Sequence, residues 1–134
     1  MTTVLFACVH NAGRSQMAAA FFNQLADPSK AIAISAGTIP ADRVHPEVVR
    51  SLAEVGLDVS ASRPRALASV PLHFVNLLIT MGCGETCPVV PGAERDDWPI
   101  ANPANAPPYG VRAIRDDVRQ RVGALVERRG WARG

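Results

Sequence analysis

The sequence predicts an α/β sandwich built on a parallel sheet. Three observations predict it. Short apolar runs without helical periodicity recur at 2–7, 31–35 and 74–80. Segments with apolar residues three or four apart separate or follow those runs. Cysteine-bearing polar segments follow the first and third runs, where the carboxyl ends of parallel strands place a ligand site.

Each element has its own signature. Residues 2–7 suit a buried strand. Residues 14–26 set Met17, Phe21 and Leu25 four apart on one helical stripe, which Asp27-Pro28 closes. Ala31 to Ser35 is a second strand, with Gly37 turning the chain outward. His45-Pro46 opens a helix running to Val55, with proline in its first turn and Gly56 ending it. Phe74 to Thr80 is as apolar as a central parallel strand, and 95–98 suit a short fourth strand. Residues 99–108, rich in Pro, Asn and Ala, suit a loop. The last helix runs from Val111 to Arg128, with Val111, Ile114, Val118, Val122 and Leu125 on one face.

Composition narrows the class. A chain of 134 residues, 48% hydrophobic and 19% charged, is expected to form one globular domain over 1–134. A net charge of +2 without a basic block points away from nucleic acid. No run is long enough to span a membrane, and Met1-Thr2-Thr3 leads into a run too short for a signal peptide. Three cysteines without a leader indicate a reducing cytoplasm and catalytic or redox use. Nothing in the composition indicates an oligomeric state.

Cys8-Val9-His10-Asn11-Ala12-Gly13-Arg14-Ser15 is the most informative segment. Five residues between a cysteine and an arginine let the chain curl once round an anion. The backbone amides of Val9, His10, Asn11, Ala12 and Gly13 can then meet its oxygens. A helix starting at Arg14 adds partial positive charge, and its guanidinium grips two oxygens in a fork. That field favours the thiolate of Cys8, which would attack the held oxyanion. Ser15 could donate a hydrogen bond to the sulfur. The plainer alternative makes Cys8 a buried strand-end thiol and Arg14 a surface cap.

Gly82-Cys83-Gly84-Glu85-Thr86-Cys87-Pro88 follows the third strand. On one helical turn Cys83 and Cys87 would share a face, close enough for a disulfide after small adjustment. A relay follows: Cys8 attacks the oxyanion, Cys83 attacks Cys8, and Cys87 attacks Cys83. A zinc site would need more ligands than two cysteines, so no metal is expected. A pair of loop thiols without a role is the other alternative. His10 lies inside the loop, where its amide serves whatever its ring does. His45 and His73 suit structural positions, and Trp98 suits a packing anchor. Arg63 and Arg65 either rim the site or sit on a solvated loop.

With these residues in view, the chain resembles the arsC-type arsenate reductases of the low-molecular-weight protein tyrosine phosphatase superfamily. The resemblance rests on Cys8 through Ala18, on Ser35-Ala36-Gly37-Thr38, and on Thr80-Met81-Gly82-Cys83 with Cys87-Pro88. Trp98, Asn102-Pro103 and the closing helix extend it over nearly the whole chain. It implies a three-layer sandwich with a four-stranded parallel sheet and helices on both faces. It implies arsenate bound by 8–14, with Cys8 as nucleophile and Arg14 as clamp. Phosphate and sulfate would mimic the substrate. Asn11 would hold the loop's unusual backbone, and Ser15 would favour the thiolate. No bound cofactor is implied; the reductant is an external thiol donor, thioredoxin or a mycothiol-type small thiol.

Two departures stand out. Cys83 and Cys87 are closer in sequence than the relay pair of thioredoxin-coupled members. Where the family carries an aspartic general acid before the loop proline, this chain reads Ala101-Asn102-Pro103. Asn102 can contact a leaving oxygen but cannot act as an acid; Asp96 and Asp97 lie upstream. Arsenate loses hydroxide or water readily, so reduction should suffer less than phosphate-ester hydrolysis. The alternatives are a small-thiol transferase, a weak phosphatase, and an arsenic-binding sensor holding its ligand on Cys8, Cys83 and Cys87.

Overall fold

The computed structural model describes residues 1–82, 89–104 and 106–133. In chain order the elements are β1 (Thr2–Cys8), α1 (Arg14–Leu25), β2 (Ala31–Gly37), α2 (Pro46–Ala53), β3 (Leu77–Thr80), β4 (Glu94–Asp97) and α3 (Pro108–Arg128). The four strands form one parallel sheet in the order β2-β1-β3-β4.

β1 occupies an interior position and is apolar on both faces, which is why its sequence shows no alternation. Val4 and Phe6, with Leu77 and Ile79 of β3, face a core shared with Met17, Phe21 and Phe22 of α1. Val48 and Leu52 of α2 and Val111, Val118, Val122 and Leu125 of α3 complete that core. Leu5, Ala7 and Leu78 face the opposite side, covered by Val70, Val75 and Val90. Among the described residues, the second outer layer includes single 3-10 turns at Leu67–Ser69 and Leu72–Phe74. The Trp98 ring is buried, its centroid 5.6 Å from that of Phe6, the packing role expected of it.

β4, Glu94-Arg95-Asp96-Asp97, is an exposed edge strand whose charges discourage pairing with another chain. No helix among the described residues is long and apolar enough to cross a membrane.

Boundaries moved where local chemistry competed with periodicity. β3 starts at Leu77, because Leu72–Phe74 wind into a turn and Asn76 bonds across to Thr3 through both backbone and side chain. α2 ends at Ala53, and Gly56, at φ +83°, lets the Leu57 amide reach the Leu52 carbonyl. α3 starts three residues before Val111, since Pro107 and Pro108 have the fixed φ that a helix start accepts.

Cys8 ends β1 in register with Gly37 of β2, and Ala7 pairs with Thr80 of β3. With β2 on one side and β3 on the other, sequence order reverses at β1. A parallel sheet binds its ligand there, at the carboxyl ends of the strands.

Candidate active site

Residues 8–14 leave β1 and curl directly into α1. The helix has no side-chain cap at Gly13, and its first helical bond runs from Met17 N to Gly13 O. Among the described residues, the amides of Ala12, Gly13, Arg14 and Ser15 donate to no protein acceptor. Those uncapped N–H groups at a helix N-terminus make an anion seat. The loop's own carbonyls face outward. Thr38 N, Ile39 N and Ala41 N donate to the carbonyls of Cys8, Val9 and His10, and His45 N donates to that of Ala12. This pinning leaves Gly37 no room for a side chain, since an added Cβ would lie 2.6 Å from Val9 O.

Asn11 carries the loop's sharpest bend. Its φ of +51° is left-handed, and it is fully buried. Asparagine tolerates that backbone better than most residues. Asn11 N lies 3.3 Å from Cys8 Sγ as a donor, and Asn11 Nδ2 donates to Ser15 Oγ at 2.8 Å. Ser15 Oγ in turn lies 2.8 Å from Cys8 Sγ. Arg65 N donates to Asn11 Oδ1 at 2.8 Å, and Gln16 Nε2 lies 3.2 Å from the same oxygen. The thiol is buried, with 2% of its residue surface exposed.

Arg14, the first residue of α1, is almost fully buried. Its Nη1 donates to Ile100 O at 3.1 Å. Gly82, at φ +91°, lies flat against the guanidinium, and an added Cβ would overlap Nη1. The loop after β4 closes the same side: a Cβ on Gly13 would meet Pro103 at 2.7 Å. Asn102 lies between Ile100 and Pro103, both of which touch the loop. Its side chain is exposed, and Oδ1 accepts from Ala104 N at 3.0 Å. Asp96 accepts from Trp98 Nε1, just beyond β4, and Asp97 accepts from Thr80 Oγ1 of β3, so both upstream aspartates are engaged.

The structure thus gathers Cys8, Val9, His10, Asn11, Ala12, Gly13, Arg14 and Ser15 into one loop. His10 is exposed, with its Nδ1 3.0 Å from Ile39 O at the rim. Cys83 and Cys87 lie outside the described residues; Gly82, which precedes Cys83, is in place against Arg14. Sequence reasoning gave no role to Gln16, to the backbones of Arg65 and Ile100, or to Gly82 as a platform. The Arg63–Arg65 segment borders the loop through its backbone while both arginine side chains stay exposed. Among the described residues no three His, Cys, Asp or Glu side chains gather as a metal site.

A buried strand-end thiol with hydrogen-bond partners, uncapped helix amides and a buried arginine are together the groups of an oxyanion-binding site of the phosphatase type. The chain belongs to the low molecular weight phosphotyrosine protein phosphatase family, which it matches over residues 3–130. Within that family its resemblance is to arsenate reductases. A Halobacterium salinarum protein provisionally designated an arsenate reductase is 39% identical over 126 residues, 91% of this chain and 89% of its own length. The glutaredoxin arsenate reductase of a Synechocystis species is 30% identical over 129 residues, 94% of this chain and 97% of its own. Among solved structures, the thioredoxin-dependent arsenate reductase of Corynebacterium glutamicum superposes with a TM-score of 0.82 at 35% identity. That match covers 96% of this chain but spans 61% of the length of the Corynebacterium protein.

Proposed function

We propose that this protein is an arsenate reductase, that residues 1–134 act as one catalytic domain, and that it works in the cytoplasm. The observation that carries the proposal is the pair of hydrogen-bond partners on Cys8 Sγ, Ser15 Oγ at 2.8 Å and Asn11 N at 3.3 Å, in a loop that ends in uncapped helix amides. Such a site holds a sulfur nucleophile and a tetrahedral oxyanion together. The arsenate reductases among its relatives supply the substrate class.

In this reading arsenate sits on the amides of 9–14 with Arg14 bridging two of its oxygens. The Cys8 thiolate attacks arsenic, and hydroxide leaves as water, forming a sulfur–arsenic(V) bond. Cys83 then attacks Cys8 Sγ. A Cys8–Cys83 disulfide forms, and the sulfur–arsenic electron pair departs with arsenic, which becomes arsenite. Cys87 attacks Cys83, releasing Cys8 and leaving an 83–87 disulfide. An external dithiol restores that pair, and thioredoxin is the donor we favour.

Asn102 favours reduction over phosphate-ester hydrolysis. An amide at this position cannot protonate an alkoxide or phenolate leaving group, whereas arsenate needs to lose only hydroxide or water. It would contact the leaving oxygen without donating a proton to it.

The test follows NADPH oxidation with arsenate, thioredoxin and thioredoxin reductase, comparing wild type with Cys87→Ser. Arsenate-dependent oxidation lost in the variant is expected. Oxidation that needs mycothiol or another small thiol, and survives in Cys87→Ser, would replace the relay with a transferase. Arsenite binding without any consumption of reductant would leave a sensor.

A further inference from the structure

Gln16 is the third residue of α1 and 6% exposed. Its Nε2 lies 3.0 Å from Asn11 O, 3.2 Å from Asn11 Oδ1 and 3.4 Å from Arg63 O. Two of the three acceptors belong to Asn11, the residue with the left-handed backbone.

Groups that cannot change role fix the sense of these contacts. The Asn11 carbonyl only accepts, so the Gln16 amide must present its NH2 there; a turned amide would set two oxygens face to face. Arg65 N–H only donates, so Asn11 must present Oδ1 to it. Gln16 Nε2, whose sense is now fixed, adds a second donor on the same oxygen. Asn11 Nδ2 is left facing Ser15 Oγ, which accepts from it and keeps its own proton for Cys8 Sγ. Turning the Asn11 amide over would aim its NH2 at two donors and its oxygen at Ser15. The serine proton would then be drawn away from the sulfur.

We propose that Gln16 is a positioning residue for Cys8, acting through Asn11 and Ser15 to keep a hydrogen-bond donor aimed at the sulfur. The proposal rests on Cys8 being the nucleophile. A buried glutamine serving only the core would satisfy its own amide and leave the thiol's chemistry untouched.

The test is the rate of Cys8 alkylation by iodoacetamide as a function of pH, resolved from Cys83 and Cys87 by peptide mass spectrometry. Gln16→Met keeps the length and removes the donors; Gln16→Glu keeps the shape and replaces donors with acceptors. We expect each to slow Cys8 alkylation at neutral pH by about tenfold, the scale of losing a hydrogen bond to an ionised group. The pH profile should move upward. Both effects should disappear in a Ser15→Ala background, because the path runs through that hydroxyl. Wild-type profiles in the Gln16 variants, or equal losses with and without Ser15, would overturn the proposal.

A readout on the wild-type protein needs no variant to fold. The side-chain amide protons of Gln16 and Asn11 should exchange with solvent far more slowly than those of exposed Asn102, and equal rates would also overturn it. Should wild-type Cys8 react no faster than an ordinary thiol, the nucleophile assignment itself fails, an outcome distinct from failure of the Gln16 path.

Discussion

The Ser15 hydroxyl oxygen stands 2.8 Å from the Cys8 sulfur and 2.8 Å from Asn11 Nδ2. Since the amide nitrogen can only donate, Ser15 accepts from Asn11, and against a Cys8 thiolate, which has no proton to give, its single proton falls to the sulfur. A residue seven positions away in sequence thereby becomes the donor to that sulfur.

Ser15→Ala tests that relationship. A hydrogen bond to an ionised partner is worth about 1.5–3 kcal/mol, so Cys8 alkylation at neutral pH should slow by about tenfold or more. The fold should persist, because Asn11 keeps its contacts with Arg65 and Gln16. Unchanged alkylation kinetics would contradict the assignment.

Gly82 is a platform for Arg14. Gly82→Ala would press a methyl group into the guanidinium and strain a backbone at φ +91°. Steady-state assays should show an arsenate KM raised about tenfold. Overpacking on the scale of about 1–3 kcal/mol should lower Tm by a few degrees. Wild-type KM in a folded variant would argue that Arg14 does not hold the substrate.

Arg14→Lys should cost more than charge conservation suggests. An ammonium group cannot reproduce the two-pronged grip on an oxyanion while also bonding the Ile100 carbonyl. Arsenate affinity should fall about tenfold to a hundredfold, measured by calorimetry in a Cys8→Ser background that blocks chemistry.

Asn102→Asp should restore a missing acid. General acid catalysis contributes about 10²- to 10⁴-fold, so aryl phosphate turnover should rise by at least about tenfold, with arsenate reduction changed far less. Equal aryl phosphate and arsenate turnover in the wild type would contradict this.

Acid stability should depend on the contact between α2 and α3. Arg112 donates to the Glu54 carboxylate at 2.7 Å and holds it below its ordinary range, helped by Arg115 at 2.9 Å. A carboxylate whose pKa is lowered by folding stabilises the fold above its unfolded value. That contribution disappears as pH falls through the lowered one. The Tm difference between wild type and Glu54→Gln should therefore be steady at neutral pH and vanish in acid. A gap that persists in strong acid would place the effect elsewhere.

The loop that joins Cys8 to Arg14 was legible because both of its ends lie within seven consecutive residues. The sheet was legible because β1 and β3 are buried enough to read as unbroken apolar runs. What escaped reading arrives through backbone groups, which carry no residue signature. Arg65 N comes from 54 positions beyond Asn11, and Ile100 O from 86 beyond Arg14. Gln16 was visible as a polar residue in a first turn, but its role depends on the φ of Asn11. The early start of α3 was hidden by prolines that usually mark a loop. The Cys83–Cys87 pairing was read from spacing and lies outside the described residues.

In the proposed reaction the cysteines of this chain carry two electrons to arsenate through Cys8. The most direct measurement mixes fully reduced protein with excess arsenate, without any external thiol, and counts arsenite. A single burst approaching one arsenite per chain is expected, accompanied by loss of two thiols, and none from Cys8→Ser. No arsenite from the wild type, or an undiminished burst from Cys8→Ser, would contradict it.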